Sequence, residues 1–128
     1  MSEATAFEVR RVTVPWDSTS TTNARSDFDL AEAGRLEAAA LFANPGVSPY
    51  SIDHVNRLVS FVEMDEPGEA VSSPFFYMYQ RKAARRVFTL DWETFFRFQQ
   101  AVAPPGGILH LYSVGRCGST LLHHFFNH

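Results

Sequence analysis

Ile108-Leu109-His110-Leu111-Tyr112-Ser113-Val114-Gly115-Arg116-Cys117-Gly118-Ser119-Thr120-Leu121-Leu122 is the stretch whose reading decides the fold class. Residues 108–114 are apolar almost throughout, the pattern of a parallel strand covered on both faces. Small residues follow at 115 and 117–119, and they let the backbone turn tightly with successive N–H groups pointing inward. From Thr120 the chain reads as a helix, whose N-terminal partial positive charge aims at the same point. Ser119 and Thr120 add hydroxyl donors and Arg116 a permanent charge. Strand, turn and helix start together describe a cradle for a phosphate or sulfate, and they predict an α/β fold of P-loop type.

Working outward, Pro104-Pro105-Gly106-Gly107 is a firm breaker. It divides an N-terminal α+β lead-in (residues 1–103) from the start of a P-loop domain (104–128). Phe7, Val9, Val12 and Val14 predict a strand ended by Pro15, and residues 17–25 a polar loop. Ser26-Asp27, with Asp29 three positions after Ser26, opens a predicted helix along Leu30, Ala33, Leu36, Ala40 and Leu41, stopped by Asn44-Pro45-Gly46. A second helix is predicted from Ser51, with Ile52, Val55, Leu58, Val59 and Val62 on one face and Pro67-Gly68 as its stop. Phe75–Tyr79 and Val87–Leu90 read as two strands by their aromatic and β-branched content. Gln80–Arg86 between them is either a hairpin connection or, by propensity, a helix. Asp91 caps a predicted helix running to Ala103.

Composition bounds the function. The chain has 128 residues, 45% of them hydrophobic and 20% charged, as in an ordinary globular protein. A net charge of −3 argues against nonspecific nucleic-acid binding. No stretch approaches the roughly 18 consecutive apolar residues of a membrane span. The N-terminus has no charged segment leading into an apolar one, and the single cysteine, Cys117, fits a reducing compartment. The expected setting is cytoplasmic.

Walker A is the obvious comparison for residues 113–120, and it fails. Its Gly-x-x-x-x-Gly-Lys-Ser/Thr pattern, anchored on Gly118, puts Ser113 at the first Gly and Ser119 at the Lys. Without that Lys the β- and γ-phosphates of ATP lose their main cationic partner. A nucleophile elbow is a second reading, since Gly115-x-Cys117-x-Ser119 has the small-x-nucleophile-x-small form, and a helix end would lower the thiol pKa. It would make the chain a Cys hydrolase. A third is a noncatalytic nucleotide- or anion-binding module, and a fourth is a strand turning into a helix with no ligand.

The same residues resemble the 5′-phosphosulfate-binding loop of sulfotransferases, commonly Pro-Arg/Lys-Ser-Gly-Thr-Thr followed by apolar residues. Gly115 stands at the Pro, Arg116 at the basic residue and Cys117 at the first Ser. Gly118 is shared, Ser119 and Thr120 match the two hydroxyl residues, and Leu121 and Leu122 begin the helix. The resemblance covers residues 108–126. It implies that Gly115, Arg116, Cys117, Gly118, Ser119 and Thr120 hold 3′-phosphoadenosine 5′-phosphosulfate (PAPS), and that Arg116 assists the leaving phosphate as the catalytic residue. It also implies sulfuryl transfer to a hydroxyl or amine acceptor without a metal. The family's 3′-phosphate-binding residues and general base would lie beyond residue 128. Because strand 108–114 would need a crossover of about a dozen residues to reach a parallel partner, the 128 residues are expected to be an incomplete sulfotransferase, inactive alone.

His124 and His128, four apart on the predicted last helix, read as surface or partner-facing groups rather than a metal pair, and His110 as a hydrogen-bonded core histidine. Arg81, Lys82, Arg85 and Arg86 form the main basic cluster. It reads as a solvated face or, alternatively, as a patch for an anionic ligand. The aromatic run from Trp92 to Phe98 reads as core.

Overall fold

The computed structural model describes residues 3–15, 23–73 and 75–101. Within them the chain is a mixed α/β structure with one five-stranded antiparallel sheet and three helices. Strand β1 (Glu3–Val12) contains the expected Phe7, Val9 and Val12, but it starts at Glu3 and ends before Val14 and Pro15. Ala4 and Ala6 face one side, and Phe7 and Val9 pack with the other. Its neighbours are β2 (Phe28–Glu37) and β5 (Ala84–Asp91); β5 pairs in turn with β4 (Leu58–Met64), and β4 with the edge strand β3 (Val47–Asp53). The order across the sheet is therefore β2-β1-β5-β4-β3. Helix α1 (Ala38–Ala43) follows β2, α2 (Phe76–Ala83) precedes β5, and α3 (Trp92–Ala101) follows it.

Period-2 alternation on the central strands sorts the side chains into two cores. Val59, Phe61, Phe88 and Leu90 join Ala4, Ala6, Ala38 and Leu41 on the face that α1 and α3 cover, with Phe95 and Phe98 packed against them. Val62, Met64 and Val87 join Phe28 and Tyr50 on the opposite face, where Tyr79 and Ala83 of α2 pack. That second face is concave. The edge strands β2 and β3 come round to each other, and the rings of Phe28 and Tyr50 lie 5.2 Å apart.

Three predicted elements are corrected. The helix expected from Ser26 is a short 3-10 turn (Arg25–Asp27) followed by β2, and only Ala38–Ala43 is helical. The run is rich in Ala, Glu and Leu, yet pairing with β1 along its length outweighs that propensity. Gly34, at φ +117°, adopts a backbone conformation that side chains rarely take, next to the irregularity where Ala33 is left unpaired.

The helix expected from Ser51 is instead the β3–β4 hairpin. Asp53 accepts hydrogen bonds from the backbone N–H groups of Val55 and Asn56 and from the Asn56 side chain, at 2.9, 2.9 and 2.7 Å. This Asx turn reverses the chain, and Arg57 at φ 57° completes it.

The strand expected at 75–79 is helical, since α2 starts at Phe76 and buries Gln80 and Arg81. The strand expected at 87–90 is present within β5. The Asp91-capped helix is also present: Asp91 accepts from the Thr94 backbone N–H at 2.8 Å and from its hydroxyl at 3.0 Å.

Candidate functional site

The predicted loop of Gly115, Arg116, Cys117, Gly118, Ser119 and Thr120 lies outside the described residues, as do His110, His124 and His128. What the described residues build is a groove on the concave face. Asn23 to Ser26 and the start of β2 form one side, the β3–β4 hairpin the other, and Leu58 and Ser60 the floor of an open groove of about 880 Å³. Register explains the hydroxyls that Ser60 and Ser51 bring to it. Thr5, Thr89, Ser60 and Ser51 are successive cross-strand partners, so one row of hydroxyl residues crosses four strands. Asp53 projects to the same face beside Leu58. Its carboxyl is held below its usual value, chiefly by the Asn56 backbone N–H. That carboxylate is occupied in holding the turn.

Beside the groove, a buried polar network joins its two walls. Tyr50 donates its hydroxyl hydrogen to Asp27 Oδ2 at 2.6 Å, and the Ala24 backbone N–H donates to the same oxygen at 3.1 Å. Arg81 reaches in from α2. Its Nε donates to Tyr50 Oη at 3.1 Å and its Nη2 to Asn23 Oδ1 at 3.1 Å, with Nη2 3.8 Å from Asp27 Oδ2. Arg81 has no exposed surface and Asp27 is 7% exposed. Burial, reinforced by the bond to Asp27, pushes the Tyr50 phenol well above its ordinary pKa. The network locks the turn before β2, strand β3 and helix α2 together.

The basic cluster is thereby divided. Arg81 is buried in the network. Arg86 forks onto Glu63, with Nη2 2.9 Å from Oε1, and holds that carboxyl below its ordinary value. Arg85 pairs with Asp65 at 3.4 Å on the surface. Neither a single solvated face nor a single anion patch describes these residues. The sequence held no direct sign that Asp27, Tyr50 and Arg81 would meet, because they come from three elements separated by more than twenty positions. The aromatic run behaves as expected in part: Phe95 and Phe98 pack on the core, while Phe96 stays 49% exposed.

Among the described residues no group of three or more His, Cys, Asp and Glu side chains is placed to hold a metal ion. No helix among them is long and apolar enough to cross a membrane. No family model, no curated protein and no solved structure matches the chain.

Proposed function

We propose that residues 115–120 bind the 5′-phosphosulfate of PAPS and that the protein acts in sulfuryl transfer to a hydroxyl or amine acceptor. The single observation behind this reading is the run Gly115-Arg116-Cys117-Gly118-Ser119-Thr120 between the largely apolar residues 108–114 and Leu121-Leu122. Inward backbone N–H groups, a helix start, two hydroxyls and a guanidinium are the components that an oxyanion site needs. Sulfuryl transfer passes through a loose transition state like that of phosphoryl transfer, so positioning and charge stabilisation dominate. In this scheme the loop amides, Ser119 and Thr120 hold the phosphate, and Arg116 stabilises negative charge on the departing phosphate oxygen. The transferred group carries less charge than a phosphoryl group, and no metal is required. Residues 104–128 then form the nucleotide-binding start and residues 1–103 the α+β portion before it.

Calorimetry with adenosine 3′,5′-bisphosphate tests the reading. Arg116→Ala should weaken binding by about 1.5–3 kcal/mol, the range for a hydrogen bond to a charged group. Unchanged affinity would remove the loop from the scheme. Cys117→Ser should leave nucleotide binding nearly unaltered, because Ser is the residue the resembled loop usually has there. Hydrolysis of an activated ester by the unaltered chain, abolished in that variant, would favour the Cys hydrolase instead.

A further inference from the structure

On the sheet face opposite the groove, α1 and α3 leave an apolar hollow of about 200 Å³ lined by Phe42, Phe95, Phe98 and Gln99. Phe42 stacks on Phe98 with centroids 4.9 Å apart and meets Phe61 edge-on at 5.5 Å, so the hollow opens directly onto the main core. Phe42 is nevertheless 40% exposed, and Phe96, next to the lining residue Phe95 in sequence, is 49% exposed. The charged pair Glu93–Arg97 on α3 is exposed and is not among the lining residues. An apolar hole of about 150 Å³ holds a benzene ring, so this one has room for one or two aliphatic side chains.

We propose that this hollow is the docking surface for the chain's own residues 108–114, with Leu109 and Leu111, two positions apart and so on one side of an extended segment, supplying the side chains. Tethering decides the occupant. Phe98 and Gln99 sit within one turn of Ala101, the last residue of α3, so the hollow lies about 5 Å along the axis from the helix end. Six residues, 102–107, separate that end from Ile108, and they span at most about 20 Å. Residues 108–114 are therefore confined to the neighbourhood of the hollow at a millimolar or higher effective concentration. Their aliphatic side chains match a lining that is uncharged among the described residues, and burying them covers exposed Phe42 surface. The inference is independent of whether residues 115–120 bind an anion. If both hold, docking of 108–114 places the loop beside the α1–α3 face.

The test uses the full chain. Leu109→Asp/Leu111→Asp changes only the proposed occupant, and it should raise the fluorescence of added 1-anilinonaphthalene-8-sulfonate several-fold while the far-UV and near-UV circular dichroism of the sheet persist. Reciprocally, Phe42→Ala should speed amide exchange across 108–114 on the order of tenfold and leave β4 and β5 protected. Unchanged dye binding and exchange would overturn the proposal. So would a concentration-dependent dimer that survives the Leu109/Leu111 changes, because a second copy would then be the occupant.

Discussion

The two faces of the sheet are held by different chemistry. Under α1 and α3 the contacts are almost wholly apolar: Phe61, Phe88, Leu41 and Leu90 are nearly or completely buried. Under α2 the apolar cluster of Val62, Met64 and Val87 is joined by a buried carboxylate, phenol and guanidinium. Apolar packing is tolerant of exact partners, and what it loses on truncation is area and volume. A buried ion pair is weak evidence for stability, yet removing one member leaves the other desolvated and unpaired. The first face therefore supplies cohesion, and the second fixes which edge strands meet and where α2 sits.

The largest expected effect is on the apolar face. Phe88→Ala should cost about 3–5 kcal/mol in chemical denaturation, and a loss below about 1 kcal/mol would show that the face can collapse around the gap. On the concave face, Arg81→Met or Asp27→Leu alone should cost about 3 kcal/mol. The double variant should cost clearly less than the sum of the two, about 3–5.5 kcal/mol, with a coupling energy of about 0.5–3 kcal/mol. Strict additivity would break the contrast between the faces, because the network would then be no more than a set of independent contacts.

The smallest effect concerns the Asp91 cap that joins β5 to α3. Asp91→Ala should cost about 1 kcal/mol, whereas Asp91→Asn keeps a capping oxygen and should cost less. The Asp91 carboxyl is held below its ordinary pKa, first by the Thr94 backbone N–H, and Glu63 by Arg86. Groups whose folded pKa is depressed contribute stability that is present above the unfolded value. For these carboxyls that value is about 4, and the contribution is lost as pH falls through the folded value. Thermal melts from pH 7 to pH 3 should fall less steeply for Asp91→Asn than for the unaltered chain. Parallel curves would separate the cap from the acid response.

Legibility in the sequence followed the strength of local signals. β1 was readable from its alternation, the 87–90 strand from β-branched and aromatic residues, and α3 from Asp91 with a helical aromatic spacing behind it. β2 was not, because Leu30, Ala33, Leu36 and Ala40 fall by coincidence near helical spacing in a helix-favouring composition. Its partner β1 lies about twenty residues upstream, beyond any local window. The β3–β4 hairpin had a readable sign in Asp53-His54-Val55-Asn56, a turn-forming Asp followed three positions later by Asn. Apolar residues at 52, 55, 58, 59 and 62 imitated a helix face and masked it. For α2 the aromatic run at 75–79 suggested a strand, and tertiary contacts of Tyr79, Gln80 and Arg81 decided otherwise. The site splits in the same way. The proposed anion loop rests on a local motif at 115–120 alone, whereas the concave groove and its Asp27–Tyr50–Arg81 wall exist only through pairing of distant segments.

The most direct test of the central claim is an amide-resolved titration of the full chain with adenosine 3′,5′-bisphosphate by nuclear magnetic resonance. The loop reading predicts saturable shifts at Gly115, Arg116, Gly118, Ser119 and Thr120, abolished by Arg116→Ala, with Ser51, Asp53 and Ser60 in the concave groove unmoved. Shifts confined to the groove residues, or none at the loop at millimolar nucleotide, would contradict it.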